Sequence, residues 1–217
     1  MRMKDVNMKE KILRVLILFI GLVIAHFGVT LFLLADLGSD PFNVFIQGLF
    51  RIISSIWASP LLTHGRVHMA ISFIIIIILL FVDRSYVRIG TVICMVFGGP
   101  IIDVFTKLLA PLAIGEMGLA ARIAVNCVGC VILAYGMTVV ITSEAGTGPN
   151  DLVAVVISDR LKKKFGVTRV VVDVCFALIG FLLGGKLGIG TVICAFLVGT
   201  VASVFMPLNR RLVERLV

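Results

Sequence analysis

The chain has 217 residues, 60% of them hydrophobic and 15% charged, with a mean hydropathy of +1.16. A soluble domain carries about 25% charged residues, so the composition excludes an ordinary soluble globule and specifies an integral membrane protein with little or no soluble domain. The formal net charge of +8 is spread between apolar runs, which points to loops facing anionic lipid and away from nucleic acid.

The basic N-terminus, Met1-Arg2-Met3-Lys4, precedes an apolar run of about two dozen residues. A signal-peptide core is only about 7–15 residues long and ends in a small-residue cleavage site, so this run is expected to be a first membrane span. Eight apolar segments can be marked, at roughly 12–35, 41–57, 66–83, 88–109, 120–143, 149–161, 167–184 and 187–208. The expected fold is all-α, a polytopic membrane protein of eight helical segments. A helix needs about 20 residues to cross the hydrocarbon core, so segments two and six are short. All five cysteines fall inside apolar runs. Cys127-Val128-Gly129-Cys130 lies mid-span with no His or acid nearby in sequence, and reads as small residues at a helix contact in preference to a redox or metal motif.

Leu37-Gly38-Ser39-Asp40-Pro41-Phe42-Asn43 stands between segments one and two. Ala145-Gly146-Thr147-Gly148-Pro149-Asn150-Asp151 stands between five and six, 108 positions later. In each elbow Gly and Ser/Thr end one helix, and Pro suits the first position of the next, where its missing N–H costs nothing. Asp40, Asn43, Asn150 and Asp151 can cap the new helix. At the same offset Arg14, Gly21, Gly28 and Thr30 match Arg122, Gly129, Gly136 and Thr138. At an offset of 100, Ile89-Gly90-Thr91-Val92-Ile93-Cys94 matches Ile189-Gly190-Thr191-Val192-Ile193-Cys194, Gly99 falls on Gly199, and Asp103 falls on Ser203. Two tandem four-helix repeats are therefore expected, residues 1–110 and 111–217.

With all eight segments crossing and the N-terminus inside, every basic residue except Arg84, Arg88 and Lys186 is cytoplasmic, 17 of 20. With segments two and six re-entrant, six crossings remain and 15 of the 20 lie inside. Both elbows lack Lys and Arg, both follow an acid (Asp36, Glu144), and both short segments are followed by bases. The halves are thus expected to lie parallel, related by a pseudo-twofold axis along the membrane normal, with both termini cytoplasmic. Segment six with its basic flank is roughly 16 residues, about 24 Å of helix. The elbows are accordingly expected at the floor of an outward-facing vestibule.

Polar side chains inside spans are costly and so are functional candidates. The substrate-binding candidates are the elbow residues Ser39, Asp40, Asn43, Thr147, Asn150 and Asp151, because exposed helix N-termini with polar side chains can bind a small polar or anionic solute. Ordinary capping in a solvated loop is the alternative. His26, mid-span, joins them as a proton relay or hydrogen-bond partner, with a satisfied core histidine as the alternative. Asp173 and Asp103 are candidates for ion or proton coupling. Asp173 lies four residues beyond Arg169 and could instead form an interfacial ion pair; Asp103 could instead cap a helix or pair with Lys107. Asn126 and Gln47 read as bridges between helices. The chain shows no phosphate loop, no nucleophile-and-base set and no His/Cys metal spacing, so no cofactor, metal or enzymatic activity is expected.

The elbows and the two Ile-Gly-Thr-Val-Ile-Cys stretches, together with Leu183-Gly184-Gly185 and Gly98-Gly99-Pro100-Ile101-Ile102-Asp103, carry a resemblance over nearly the whole chain. The sequence resembles the YczE/YitT/YyaS-type family of bacterial inner-membrane proteins. That resemblance implies a multi-span bacterial membrane protein and assigns no substrate or catalytic residue. Gly199-Thr200-Val201-Ala202-Ser203 departs from the Gly-Pro-Ile-Ile-Asp pattern of the first half, so any role for that acid rests on Asp103 alone.

Duplicated halves, polar elbows and intramembrane ionisable residues point first to a secondary transporter or exporter of a small polar solute, with its site between the repeats. A non-transporting anchor or regulatory partner of another membrane protein comes second, and a membrane enzyme third. The expected partners are the lipid bilayer and a small-molecule solute, with a homodimer left open and nucleic acid excluded. The expected location is the cell inner membrane.

Overall fold

The computed structural model describes residues 7–57, 59–163 and 165–217. Arg2, Lys4 and Lys164, which enter the charge count, lie outside the described residues. Among the described residues eight α-helices form: α1 (Met8–Ala35), α2 (Pro41–Ile56), α3 (His64–Val82), α4 (Ile89–Leu109), α5 (Leu119–Thr142), α6 (Pro149–Leu161), α7 (Phe165–Leu182) and α8 (Ile189–Leu216). They follow the eight apolar segments, with α1 beginning about a turn earlier and α8 ending about two turns later. Among the described residues five, α1, α3, α4, α5 and α8, are long and apolar enough to cross a membrane.

The elbows form as their residues dictate. Asp36 ends α1 in the left-handed region, φ 52, and its N–H returns to Phe32 O. Gly38 follows at φ 103, a conformation that costs glycine little. Pro41 then opens α2, with Asp40 as its N-cap. The second elbow repeats the pattern: Glu144 at φ 57, Gly146 at φ 153, and Pro149 opening α6.

The centre of the bundle is the α1–α5 pair, the most extensive helix contact in the protein. A Cβ on Gly28 would lie 2.6 Å from Leu133 N and 2.7 Å from Gly129 O, and one on Gly21 would lie 2.9 Å from Gly136 O. The two backbones therefore touch, the arrangement by which helices associate when lipid offers no hydrophobic drive. Residue 21 meets 136 and residue 28 meets 129, so α1 and α5 are antiparallel. Their ends agree: Arg14 donates to Ser143 O at 3.2 Å, and Arg122 donates to Ala35 O at 2.7 Å. We call the end where α1 begins the start face, and the other the far face.

The remaining directions follow from side-chain register. α4 runs with α1, as Phe19 meets Phe97 and Phe27 meets Phe105. α8 runs with α5, as Tyr135 meets Phe205 and Asn209 donates to Thr138 Oγ1. α2 runs with α7, from Phe42 beside Phe176 to Arg51, which donates to Gly184 O at 2.7 Å. α6 runs with α3, from Leu152 beside Leu79 to Arg160, which donates to Val82 O at 2.6 Å. α3 runs against α2, as Phe42 meets His68 and Phe50 meets His64. Hence α1, α2, α4 and α7 point one way, and α3, α5, α6 and α8 the other.

The expected parallel relation between the halves does not hold. Every helix of the first four runs opposite to the helix four places on. Nor do all eight helices traverse the bundle. α2 starts level with Phe176, about 9 Å short of the end of α7 at a rise of 1.5 Å per residue, and returns to the far face. α6 likewise starts within the bundle and returns to the start face. The two elbows therefore dip in from opposite faces, and a shared outward vestibule is ruled out. The charge pattern misled because bases at the far face have structural partners there: Arg51 and Arg122 hold backbone carbonyls, and Lys186 pairs with Asp36.

Two further hydrogen bonds tie the elbows down. Gly190 N–H donates to Leu37 O at 2.8 Å, and Gly90 N–H donates to Ala145 O at 3.1 Å. The glycines of the two Ile-Gly-Thr-Val-Ile-Cys stretches thus let α4 and α8 begin directly against an elbow of the opposite half. A Cβ on Gly190 would lie 2.8 Å from Gly38 O, and one on Gly90 would lie 2.7 Å from Ala145 O.

Candidate functional site

The site grows from the starts of α2 and α6. The first N–H groups of any helix lack intrahelical partners and carry a partial positive charge. At α2 the Asp40 carboxylate answers them. Oδ1 accepts from the Asn43 backbone N–H at 3.3 Å, and Oδ2 accepts from the Asn43 side-chain amide at 2.7 Å and the Ser39 hydroxyl at 3.3 Å. Asn43 Oδ1 in turn accepts from His64 Nε2 at 3.2 Å. Ser39 and Asn43 are buried. At α6 the acid is Asp151, whose Oδ1 accepts from Asn150 Nδ2 at 3.0 Å and pairs with Arg169 of α7. Thr147 Oγ1 is buried, with no partner among the described residues.

α7, which carries Arg169, packs against both α2 and α6. Arg169 pairs with Asp151 and, one turn along its own helix, with Asp173 at 2.8 Å. The start of α2 packs on the same helix, with Phe42 against Phe176 less than a turn beyond Asp173. Two carboxylates therefore share one guanidinium within the bundle, and a third, Asp40, stands at the start of α2 with no ion pair among the described residues. An excess of negative charge at such depth is costly unless a cation or protons join it.

The three histidines of the chain lie beside this cluster. His26 donates from Nδ1 to Leu22 O at 2.9 Å, and its ring meets His68 edge-on at 5.6 Å. His68 meets Phe42 at 5.3 Å, and its buried Nδ1 has no partner among the described residues.

The structure thus brings Asn150, Asp151 and Asp173 together at Arg169, and Ser39, Asp40 and Asn43 together at the start of α2. His26 reaches it only through His68 and Phe42. Asp103 lies elsewhere: it accepts from the Thr63 hydroxyl at 2.5 Å and from Gly65 N–H at 3.0 Å, capping the start of α3. Gln47 and Asn126 do bridge elements, Gln47 accepting from Lys186 N–H and Asn126 Nδ2 approaching Gly38 O at 3.5 Å. Sequence reasoning missed Arg169 as a centre and missed His64 and His68 altogether. The Arg169–Asp173 spacing of four, on a helix of valines, was the available signal.

Comparison with known proteins fits this architecture. The model of DUF6198, a family of unknown function, matches residues 12–207. The chain belongs to that family. It is 27% identical to the membrane protein YczE of Bacillus subtilis over 95% of this chain and 91% of that protein. It is 29% identical to a Haemophilus influenzae protein over 90% and 84% of the two chains, and 26% identical to YyaS of Bacillus subtilis over 88% and 92%. No solved structure matches. With the five long apolar helices, the family assignment makes the chain an integral membrane protein.

Proposed function

We propose that the protein is a secondary transporter of a small polar solute, built from two inverted halves, with its site where the starts of α2 and α6 pack against α7, which carries Arg169. One observation carries this reading: two half-helices enter from opposite faces and both start against α7, which carries a half-buried charged cluster. Interrupted helices with polar starts at membrane depth are how transporters of inverted-repeat design hold solutes and coupling ions, and non-helical backbone at that depth is tolerated only in protein or beside a wet cavity. In this reading α2 and α6 are re-entrant and the other six helices cross. Among the described residues, with Arg169 set aside at the site, the start face carries every basic residue except Arg51, Arg66, Lys107, Arg122 and Lys186, so in this reading it faces the cytoplasm, with both termini, in the inner membrane. The solute meets Ser39, Asn43, Thr147 and Asn150 as neutral hydrogen-bonding groups, and the carboxylates in excess of Arg169 hold the coupling cation or proton.

The test is electrical. Purified protein in liposomes on a solid-supported membrane is challenged with a panel of cationic, zwitterionic and anionic small solutes. A solute-dependent current is expected, cut at least about tenfold by Asp151→Asn and by Asp40→Asn in protein that still folds. Wild-type currents in both variants would remove the site from the elbows.

A further inference from the structure

The helix starts of the two halves correspond residue for residue. Pro41 and Pro149 open α2 and α6, so Asn43 stands where Asp151 stands. His64-Gly65 and Phe165-Gly166 open α3 and α7, so His68 stands where Arg169 stands, and Ser72 where Asp173 stands. In the second half these positions are charged and pair with one another. In the first half they hold an amide, an imidazole and a hydroxyl, and the pairing is lost. Asn43 turns to His64 instead. His68 Nδ1 and Ser72 Oγ, one turn apart on one face of α3, have no partner among the described residues. Both side chains are deep: His68 is 7% exposed and Ser72 0%. A buried donor or acceptor left unmatched carries the full cost of its desolvation, and here two stand side by side.

The surrounding walls differ between the halves in the same sense. His26 on α1 corresponds to Ala134 on α5, and Gly98 on α4 to Val198 on α8. Ala134 is fully buried, and Val198 packs on the core of Phe32, Cys130 and Cys194, so the second half closes this place with apolar side chains. In the first half a Cβ on Gly98 would lie 2.8 Å from His26 Nε2 and 3.2 Å from His68 Cε1. Both ring edges therefore turn to one point, which Gly98 keeps clear of a side chain. His26 donates from Nδ1 to Leu22 O, which leaves its Nε2 as an acceptor.

We propose that His68, Ser72 and His26 form a binding site for an uncharged group that both donates and accepts hydrogen bonds, a hydroxyl or an amide. The inference rests on the transporter reading in taking that group to be the polar end of the solute. The surroundings set the chemical class. On the adjoining start of α2, Asp40 is engaged by Asn43 and Ser39, and on α4, Asp103 is engaged by Thr63 and Gly65. A charged ligand group would be buried here without a free counter-ion, which is costly. A hydroxyl or an amide can instead donate to His26 Nε2 and accept from Ser72 or His68, so that the atoms left unmatched on α3 are answered.

The experiment places the protein, with nitrogen-15 in its histidines, in nanodiscs. The probes are erythritol and propionamide, with propionate and propylammonium as charged controls. The His68 imidazole signals, assigned against His26→Gln and His64→Gln, should shift saturably with at least one uncharged probe and with neither control. Ser72→Ala should weaken that binding about tenfold, the loss of one hydrogen bond in a dry site. Without probe, Ser72→Ala should unfold no earlier than the wild type, because it removes a hydroxyl that has no partner in the fold. A variant that unfolds earlier, or fails to fold, would give the hydroxyl a structural role and overturn the site. His68 signals that ignore every probe would mean that water alone meets these atoms, and signals that move equally with the charged controls would remove the class; either overturns the proposal. Saturable binding with no current from any solute would sink the transporter reading and leave the site standing. Solute currents unchanged in both Ser72→Ala and His68→Gln would do the reverse.

Discussion

Arg169 is the residue whose neighbours decide the most. Its side chain and those of Asp151 and Asp173 are 18–28% exposed, so solvent screens part of their interaction, and the several kcal/mol lost when a fully buried pair is broken must be discounted. Arg169→Gln leaves two carboxylates, Asp151 and Asp173, without their base and should destabilise the protein by about 1–3 kcal/mol. Adding Asp173→Asn removes one of the stranded charges and should recover part of that loss, which thermal unfolding of the single and double variants in nanodiscs will show. A double variant as weak as the sum of its parts would mean that the two groups do not act on each other. The glycines give a sharper contrast. Gly28→Ala drives a Cβ into the α5 backbone and should cost about 1–3 kcal/mol, whereas Gly199→Ala meets open space and should stay within about 0.5 kcal/mol of the wild type.

At the scale of elements, α2 and α6 are short because they never reach the opposite face. Asp40 caps α2, and the cap and the charge can be separated. Asp40→Asn keeps a side-chain acceptor for the Asn43 N–H, while Asp40→Ala removes it and should cost about 0.5–2 kcal/mol of stability. If unfolding of Asp40→Asn tracks the wild type while its solute current falls, the charge belongs to the site and the shape to the helix. The elements themselves were legible in the sequence because apolar runs, Pro41 and Pro149, and the elbow glycines are local signals. Their directions were not. Direction depends on which distant carbonyl an arginine reaches, as Arg51 reaches Gly184 and Arg122 reaches Ala35, and a count of bases treats such residues as loop charges. The same count hid Arg169, which stands one turn inside α7 where it could be taken for a flanking base. Asp40, Asn43 and Asp151 were readable as the polar residues of the two helix starts because a helix start at membrane depth demands polar company.

At the scale of the whole molecule, the reversed direction of the halves fixes where their ends emerge. Trp57, just past α2, and Leu161, at the end of α6, are both exposed, and they belong to opposite faces. With native cysteines removed, Trp57→Cys should react with an impermeant maleimide added to intact cells, and Leu161→Cys only after the membrane is breached. Labelling of both from one side would return the halves to a parallel arrangement.

The paired bonds from Gly190 to Leu37 and from Gly90 to Ala145 are reciprocal. Each half presents one donor and one acceptor to the other, and the two contacts exchange under a single twofold rotation, the property of a self-complementary interface. A chain ending near residue 110 would carry the Gly90 donor and the Leu37 acceptor, both unmatched. A second copy inserted upside down in the same bilayer would satisfy both. The two halves therefore dock through the hydrogen-bonding logic of a pair of short chains set in opposite orientations in one bilayer, with Asp103 and Ser203 a position at which they differ.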